Sequence, residues 1–339
     1  MSNWENIVGH RWAVEMLTRG LVNDRLGHAY LITGPDQVGK TTLARTFAQA
    51  LNCEATVAER PCGQCRPCKL IAVDRHPDVK LVSPEMSGRG KLTLKIETIR
   101  QLQQDLNLSA YEARYKVAIL ERFDAATIGA ANAFLKTLEE PPGKVVLLLT
   151  ATDADMLLPT IASRCRTLNL RPLPPELIET SLATRWHVPA EKATLLAHLA
   201  DGRLGWAIQA AEDRAILDTR AEHLGYLQDA LAGRRAQRFA LADKLARKPE
   251  VLPDLLKTWL SWWRDLTLLN QRQGRPISLM LTNVDEVARL EPLATAWTEP
   301  QINASLNQTN DALWQLERNA NTRLVLENLL LIYPLPEPV

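Results

Sequence analysis

The sequence predicts an α/β domain with a parallel, doubly wound sheet, followed by an all-α remainder. Three observations carry this. Short apolar runs of strand length alternate with amphipathic helical patterns over the first half of the chain, a glycine-rich turn joins the first strand to a helix, and after Arg171 the strand patterns stop.

Taken in order, His28–Thr33 reads as a buried strand and Lys40–Leu51 as the helix that follows it. Between them lies Gly34-Pro-Asp-Gln-Val-Gly39-Lys40-Thr41-Thr42. The Gly-x4-Gly-Lys-Thr spacing lets successive backbone N–H groups converge on phosphate oxygens at a helix N-terminus. Lys40 would reach the outer phosphates and Thr41 a Mg²⁺ ion, so Gly34, Gly39, Lys40, Thr41 and Thr42 are the expected seat of ATP or ADP. A chance glycine-rich turn is the alternative, and the strand, loop and helix in that order argue against it.

Further strands are expected at Asp78–Ser83, Lys116–Leu120, Val145–Ala151 and Thr167–Leu170, with helices at Ile96–Leu106 and Ala126–Glu139. In such a sheet ligands bind at the carboxyl ends of the strands, where the glycine-rich turn also falls. The segment Arg171-Pro-Leu-Pro-Pro175 marks a boundary. The expected domains are 1–170, with a cysteine-bearing insert at 53–68, then a three-helix lid at 171–214 and a helical bundle at 215–339. The lid helices are Pro174–Trp186, Pro189–Leu199 and Leu204–Ala211, and the last domain carries long patterns at Ala221–Ala232, Val251–Leu269 and Glu299–Leu331. Trp259, Trp262 and Trp263 fall on one helix face; core or subunit contact is preferred to a base-stacking platform.

Composition narrows the function classes. A net charge of +1 over 339 residues gives no global nucleic-acid footprint. No apolar run approaches the ~18 residues of a membrane span. Met1-Ser-Asn-Trp-Glu5 lacks the basic and apolar regions of a signal peptide, so a soluble cytoplasmic protein is expected.

Four of the five cysteines, Cys53, Cys62, Cys65 and Cys68, form a C-x8-C-x2-C-x2-C cluster. Two interlocked C-x2-C steps suit tetrahedral thiolate coordination of structural Zn²⁺ better than disulfides. Arg60 and Arg66 would offset the thiolate charge. A redox pair or an iron–sulfur cluster is the alternative, and no redox partner lies nearby in sequence. His76 precedes a proline and reads as a turn residue before a ligand.

Several segments together resemble the AAA+ subunits of bacterial sliding-clamp loaders. They are Trp4-Glu-Asn-Ile-Val-Gly-His10, His28-Ala-Tyr-Leu-Ile-Thr-Gly-Pro35, the cysteine cluster, Leu135-Lys-Thr-Leu-Glu-Glu-Pro-Pro142 and Ile161-Ala-Ser-Arg-Cys165. Arg318–Glu327 resembles the end of that family's C-terminal collar. The resemblance implies a five-subunit assembly with gamma/tau and delta subunits, acting on a sliding clamp and primed DNA. It also implies that Arg164 projects to a neighbour's nucleotide and acts there in trans, with Arg166 a weaker candidate; a surface arginine is the bland alternative. Ile7 and Val8 would line the adenine pocket or pack in the core, and Glu139-Glu140 would suit a partner contact or a solvated turn.

Two departures from the active pattern bear on the chain's own chemistry. The Lys116–Leu120 strand ends in Glu121-Arg122 where the resemblance implies Asp-Glu. Arg122 would then stand in the place of the carboxylate that orients the attacking water, a role a cation cannot take. Asp124 could replace it only from a shifted position. In Gly202-Arg-Leu-Gly-Trp-Ala207 the nucleotide-sensing arginine implied three residues after the first glycine is Gly205, and Arg203 lies two residues early. The combination implies a subunit whose own ATPase is weak or absent, with an active gamma/tau-type motor subunit as the alternative. Thr150 or Thr152 would sense the γ-phosphate in cis.

Overall fold

The computed structural model describes residues 3–87, 92–271, 281–318 and 320–334; Met1, Ser2 and Asn319, used in the sequence reading, lie outside them. The chain divides into two compact units, one of 1–177 with 202–205 and the other of 178–201 with 206–339.

In the first unit the strands are β1 (Ala29–Thr33), β2 (Val79–Val82), β5 (Lys116–Leu120), β6 (Val145–Ala151) and β7 (Arg166–Asn169), in the order β2-β5-β6-β1-β7. All pairings in this sheet are parallel. The fold class expected from the sequence is the one observed. Every residue of β1 and of β6 is buried, as central parallel strands covered on both faces require. β7, at one edge, buries only Leu168. A small antiparallel hairpin, β3 (Glu85–Met86) with β4 (Leu92–Thr93), stands apart from the sheet.

The accompanying helices are α1 (Arg11–Val22), α2 (Lys40–Asn52), α3 (Arg66–Ala72), α4 (Ile96–Asn107), α5 (Ile128–Glu139) and α6 (Pro159–Ala162). Leu43, Phe47 and Leu51 of α2 pack with Tyr30, Val117 and Leu148 on one side of the sheet. Ile99 and Leu102 of α4 and Phe134 of α5 pack with Leu31, Ala118 and Leu147 on the other. Alternate residues of one strand thus serve opposite layers, as the two-residue strand period demands. The α5 pattern begins two residues later than the apolar periodicity suggests, because the Thr127 side chain caps it by accepting from the Ala130 N–H at 3.1 Å.

Beyond the sheet come α7 (Pro175–Arg185), α8 (Ala190–Leu199), α9 (Leu204–Glu212), α10 (Ala215–Ala232), α11 (Arg235–Ala246), α12 (Leu252–Asn270), α13 (Val287–Ala296), α14 (Glu299–Glu317) and α15 (Thr322–Ile332). The single pattern expected over Glu299–Leu331 is two helices, because Asn321 caps a new one by accepting from the Leu324 N–H at 3.2 Å. Helices α11 and α13 fall outside the patterns expected from the sequence; α11 is bounded by Arg234 and Arg247, and α13 contains Pro292. The tryptophan stripe is core: Trp259 and Trp263 are 0 % exposed, and Trp259 Nε1 donates to the His223 carbonyl at 2.7 Å.

Two charged groups are buried in this second core. Asp265 accepts N–H bonds from Thr282 and Asn283, tying α12 to the segment before α13. Arg238 of α11 donates to the carbonyls of Gly233, Leu330, Tyr333 and Pro334, at 2.6 to 2.9 Å, and so caps the end of α15. None of the described helices is long and apolar enough to cross a membrane.

Candidate functional site

The glycine-rich turn follows β1 directly and α2 begins at Lys40, so the loop lies at the carboxyl edge of the sheet. Gly34 (φ 140°) must lack a side chain, since a Cβ there would lie 2.3 Å from the Leu170 carbonyl oxygen. Gly39 (φ 109°) and Gln37 (φ 62°) take left-handed conformations, the kind of backbone from which anion-binding turns of successive N–H groups are built.

Lys40 is buried and folds onto its own loop, with Nζ donating to Gly34 O at 2.5 Å and Pro35 O at 2.8 Å. Burial lowers its pKa, and Arg122 lowers it further, against opposing attraction from Asp36 and Asp124. Thr41 Oγ1 donates to Glu121 Oε1 at 2.7 Å, and Ser83 Oγ donates to Glu121 Oε2 at 2.6 Å. Glu121 therefore sits beside the hydroxyl expected to meet a metal ion, and Ser83 is a member of this cluster that the sequence reading missed. Its only signal was its place just after β2, level with the end of β5 across their pairing.

Arg122 is left-handed (φ 46°), with its N–H donating to Thr150 Oγ1 at 3.0 Å and its side chain exposed. Thr152 Oγ1 donates to Asp124 Oδ2 at 3.1 Å, and Asp124 Oδ1 is buried without a partner. Of the two threonines at the end of β6, one thus serves the backbone of Arg122 and the other the carboxylate of Asp124. Val8 is buried, and Trp4 and Ile7 pack at the edge of the core formed by β1 and α2.

Arg164 follows α6. It makes a 2.6 Å ion pair with Glu139, the last residue of α5, and Nη1 donates to the Thr160 carbonyl at 2.8 Å. Arg166 turns instead toward the Arg25 carbonyl, at 3.3 Å.

The sulfurs of Cys53, Cys62, Cys65 and Cys68 lie within 4.8 Å of one another, and none is in a disulfide. Cys53 ends α2, Cys65 caps α3 and Cys68 lies within α3, so two helix termini fix the spacing. The Cys62 sulfur accepts from the backbone N–H of Cys65 at 3.3 Å and of Gln64 at 3.4 Å. Burial pushes the Cys62 thiol up, but these bonds and the thiols of Cys53 and Cys65 outweigh it and bring it down to about 6. Burial raises Cys53 and Cys68. Four clustered sulfurs with N–H bonds ready to stabilise thiolate charge fit a metal ion, whose binding would deprotonate all four. Arg60 lies near enough to Cys53 to feel its charge, whereas Arg66 pairs with Glu112.

A sequence model of the family described as DNA polymerase III, delta subunit, matches residues 9–174. The delta' subunit of Bacillus subtilis is 29 % identical over 326 residues, covering 94 % of each chain. The chain is thus similar to clamp-loader subunits of DNA polymerase III. The delta' subunit of Pseudomonas aeruginosa is 41 % identical over 138 residues, 41 % of each chain. The tau/gamma subunit of Haemophilus influenzae is 36 % identical over 204 residues; that match covers 59 % of this chain and 29 % of the relative. The family model's match spans both the phosphate loop and the four cysteines.

Proposed function

We propose that this chain is the delta prime type of clamp-loader subunit, holding nucleotide without efficient turnover and lending Arg164 to the ATP site of a neighbour. The observation that carries this reading is the end of β5. Glu121 is engaged with Thr41 on the metal side, while the next position holds Arg122, whose cation adds to the positive charge near Lys40. A water attacking the γ-phosphate needs a proton acceptor at that point, and a guanidinium is not one. Thr41 and Glu121 would hold Mg²⁺, which neutralises phosphate charge when bound.

In this reading residues 171–214 form a lid and 215–339 a collar that joins gamma/tau and delta subunits in a hetero-pentamer. The assembly opens the sliding clamp and places it on primed DNA, with DNA contacts to the phosphate backbone. The cysteine cluster is a structural zinc knuckle. All four positions being filled by sulfur, with no open ligand position, favours this over a catalytic metal.

Hydrolysis by the purified chain, paired with equilibrium nucleotide binding, tests the reading: binding with negligible turnover is expected. One observation favours a second reading, an active gamma/tau-type ATPase. Asp124 Oδ1 is buried and unpartnered, and its charge is felt at Lys40. Substantial wild-type turnover that is lost in Asp124→Asn would establish the second reading and remove the first.

A further inference from the structure

The phosphate loop is gripped from outside at two consecutive carbonyls. The Gly205 N–H, at the start of α9, donates to the Gln37 carbonyl at 2.9 Å. His10, just before α1, brings Nε2 to 3.4 Å from the Val38 carbonyl; the carbonyl only accepts, so Nε2 carries the proton in this contact.

A trans peptide is planar, with its C=O and N–H pointing opposite ways. Among the described residues the only cis bond is Arg60-Pro61. Fixing the Gln37 carbonyl therefore fixes the Val38 N–H, and fixing the Val38 carbonyl fixes the Gly39 N–H, each turned away from its clamp. Neither N–H has a hydrogen-bond partner among the described residues. A Cβ built on Gly39 would meet nothing within 4 Å, so the space beside it is open.

The approach at Gly205 leaves no room for a side chain. A Cβ there would lie 2.9 Å from the Gln37 carbonyl oxygen and 3.1 Å from Gln37 Cβ. Gly205 is thus more than a missing arginine: its lack of a side chain is what lets its N–H reach the Gln37 carbonyl. His10 is held in a left-handed conformation (φ 51°) after Gly9 (φ 68°), whose own Cβ would collide with Leu173 Cδ2 at 2.5 Å. Burial lowers the His10 pKa, consistent with a neutral ring acting as a single directed donor.

We propose that His10 and Gly205 are positioning residues for the nucleotide seat: they hold the Gln37 and Val38 carbonyls so that the Val38 and Gly39 N–H groups form a preformed site for the diphosphate of a nucleoside diphosphate. This rests on the reading of the loop as a nucleotide seat. It explains how a chain without the sensing arginine retains a rigid seat, because the N–H groups are oriented before the anion arrives and no ordering is left to the binding step.

The test is equilibrium binding of a fluorescent ADP with Mg²⁺ to the full chain and to His10→Ala, His10→Gln, Gly205→Ala and Lys40→Ala, with thermal unfolding of each. Losing one orienting hydrogen bond, worth about 1 kcal/mol, weakens binding roughly fivefold. His10→Ala is expected to show that loss, and His10→Gln, whose amide can still donate, to recover most of it. Gly205→Ala, which displaces the loop as well, should lose at least as much. The Gln rescue separates positioning from general destabilisation, since a purely structural effect would track the melting temperature instead. Wild-type affinity in both His10→Ala and Gly205→Ala, with binding lost only in Lys40→Ala, would overturn the positioning role while keeping the seat. Absence of ADP binding by the wild-type chain would overturn the seat and the proposal together.

Discussion

Arg164 and Glu139 form a 2.6 Å ion pair across the gap between α6 and the end of α5. The acid stands at a helix C-terminus, where the dipole disfavours negative charge, and the guanidinium offsets that penalty. Both side chains are partly exposed, at 36 % and 50 %, so the pair contributes about 1 kcal/mol or less and is readily exchanged for another anion.

The first prediction concerns that exchange. In the reconstituted loader, Arg164→Ala is expected to leave assembly intact while slowing the neighbouring site by about a thousandfold, the scale of an arginine supplied in trans. Turnover of the complex would then fall by that site's share. Unchanged clamp-stimulated ATPase would remove the finger role. Glu139→Gln should shift the melting temperature very little, since a half-exposed pair carries little stability.

The second concerns the cysteines. Elemental analysis of protein purified without chelator should find one zinc per chain, and Cys65→Ser should lose it. Chelation is expected to lower stability, because sulfurs drawn from the end of α2 and from α3 are held together by the ion. Metal-free protein with unaltered stability would exclude a structural metal.

The legible parts of this molecule are those specified by local pattern. β5 and β6 lie where their apolar runs place them, and the four cysteines converge as their spacing implies. What stayed hidden depends on residues far apart in sequence. Ser83 meets Glu121 only because β2 and β5 pair in parallel register, and a serine after a strand carries no signature of that. Gly205 reads as an absent arginine until its N–H is seen on the Gln37 carbonyl. The break between α14 and α15 was masked because apolar spacing continues through it, and only the Asn321 cap marks the new start.

The third prediction follows from Glu121. Its two oxygens take the hydroxyls of Thr41 and Ser83, so Glu121→Ala removes the carboxylate beside the metal position. Nucleotide binding should persist through the loop amides while its enhancement by Mg²⁺ is lost. A titration of ADP with and without Mg²⁺ checks this, and an undiminished Mg²⁺ effect would place the ion elsewhere.

The fourth is a pH dependence. His223, buried at the α10–α12 contact, has its pKa lowered below 6.5 by burial, against the opposing charges of Asp254 and Glu222. The unfolded chain therefore binds the proton more readily. This contribution to stability is complete above pH 6.5 and is lost as pH falls from there through the folded pKa, by up to about 1.4 kcal/mol per unit. Urea midpoints at pH 7.5 and 5.5 should converge in His223→Gln relative to wild type; an equal spread in both would show that His223 is not the titrating group.

Arg238 gives the second unit a sense of time. Its buried guanidinium has carbonyl partners at Leu330, Tyr333 and Pro334, which leave the ribosome more than ninety residues after it does. Until they emerge, the arginine can be buried only with its donors largely unanswered, a strongly unfavourable state. Closure of this core is thereby deferred until α15 and the turn after it have been made, and a nascent chain that stops short of α15 leaves this arginine without those partners.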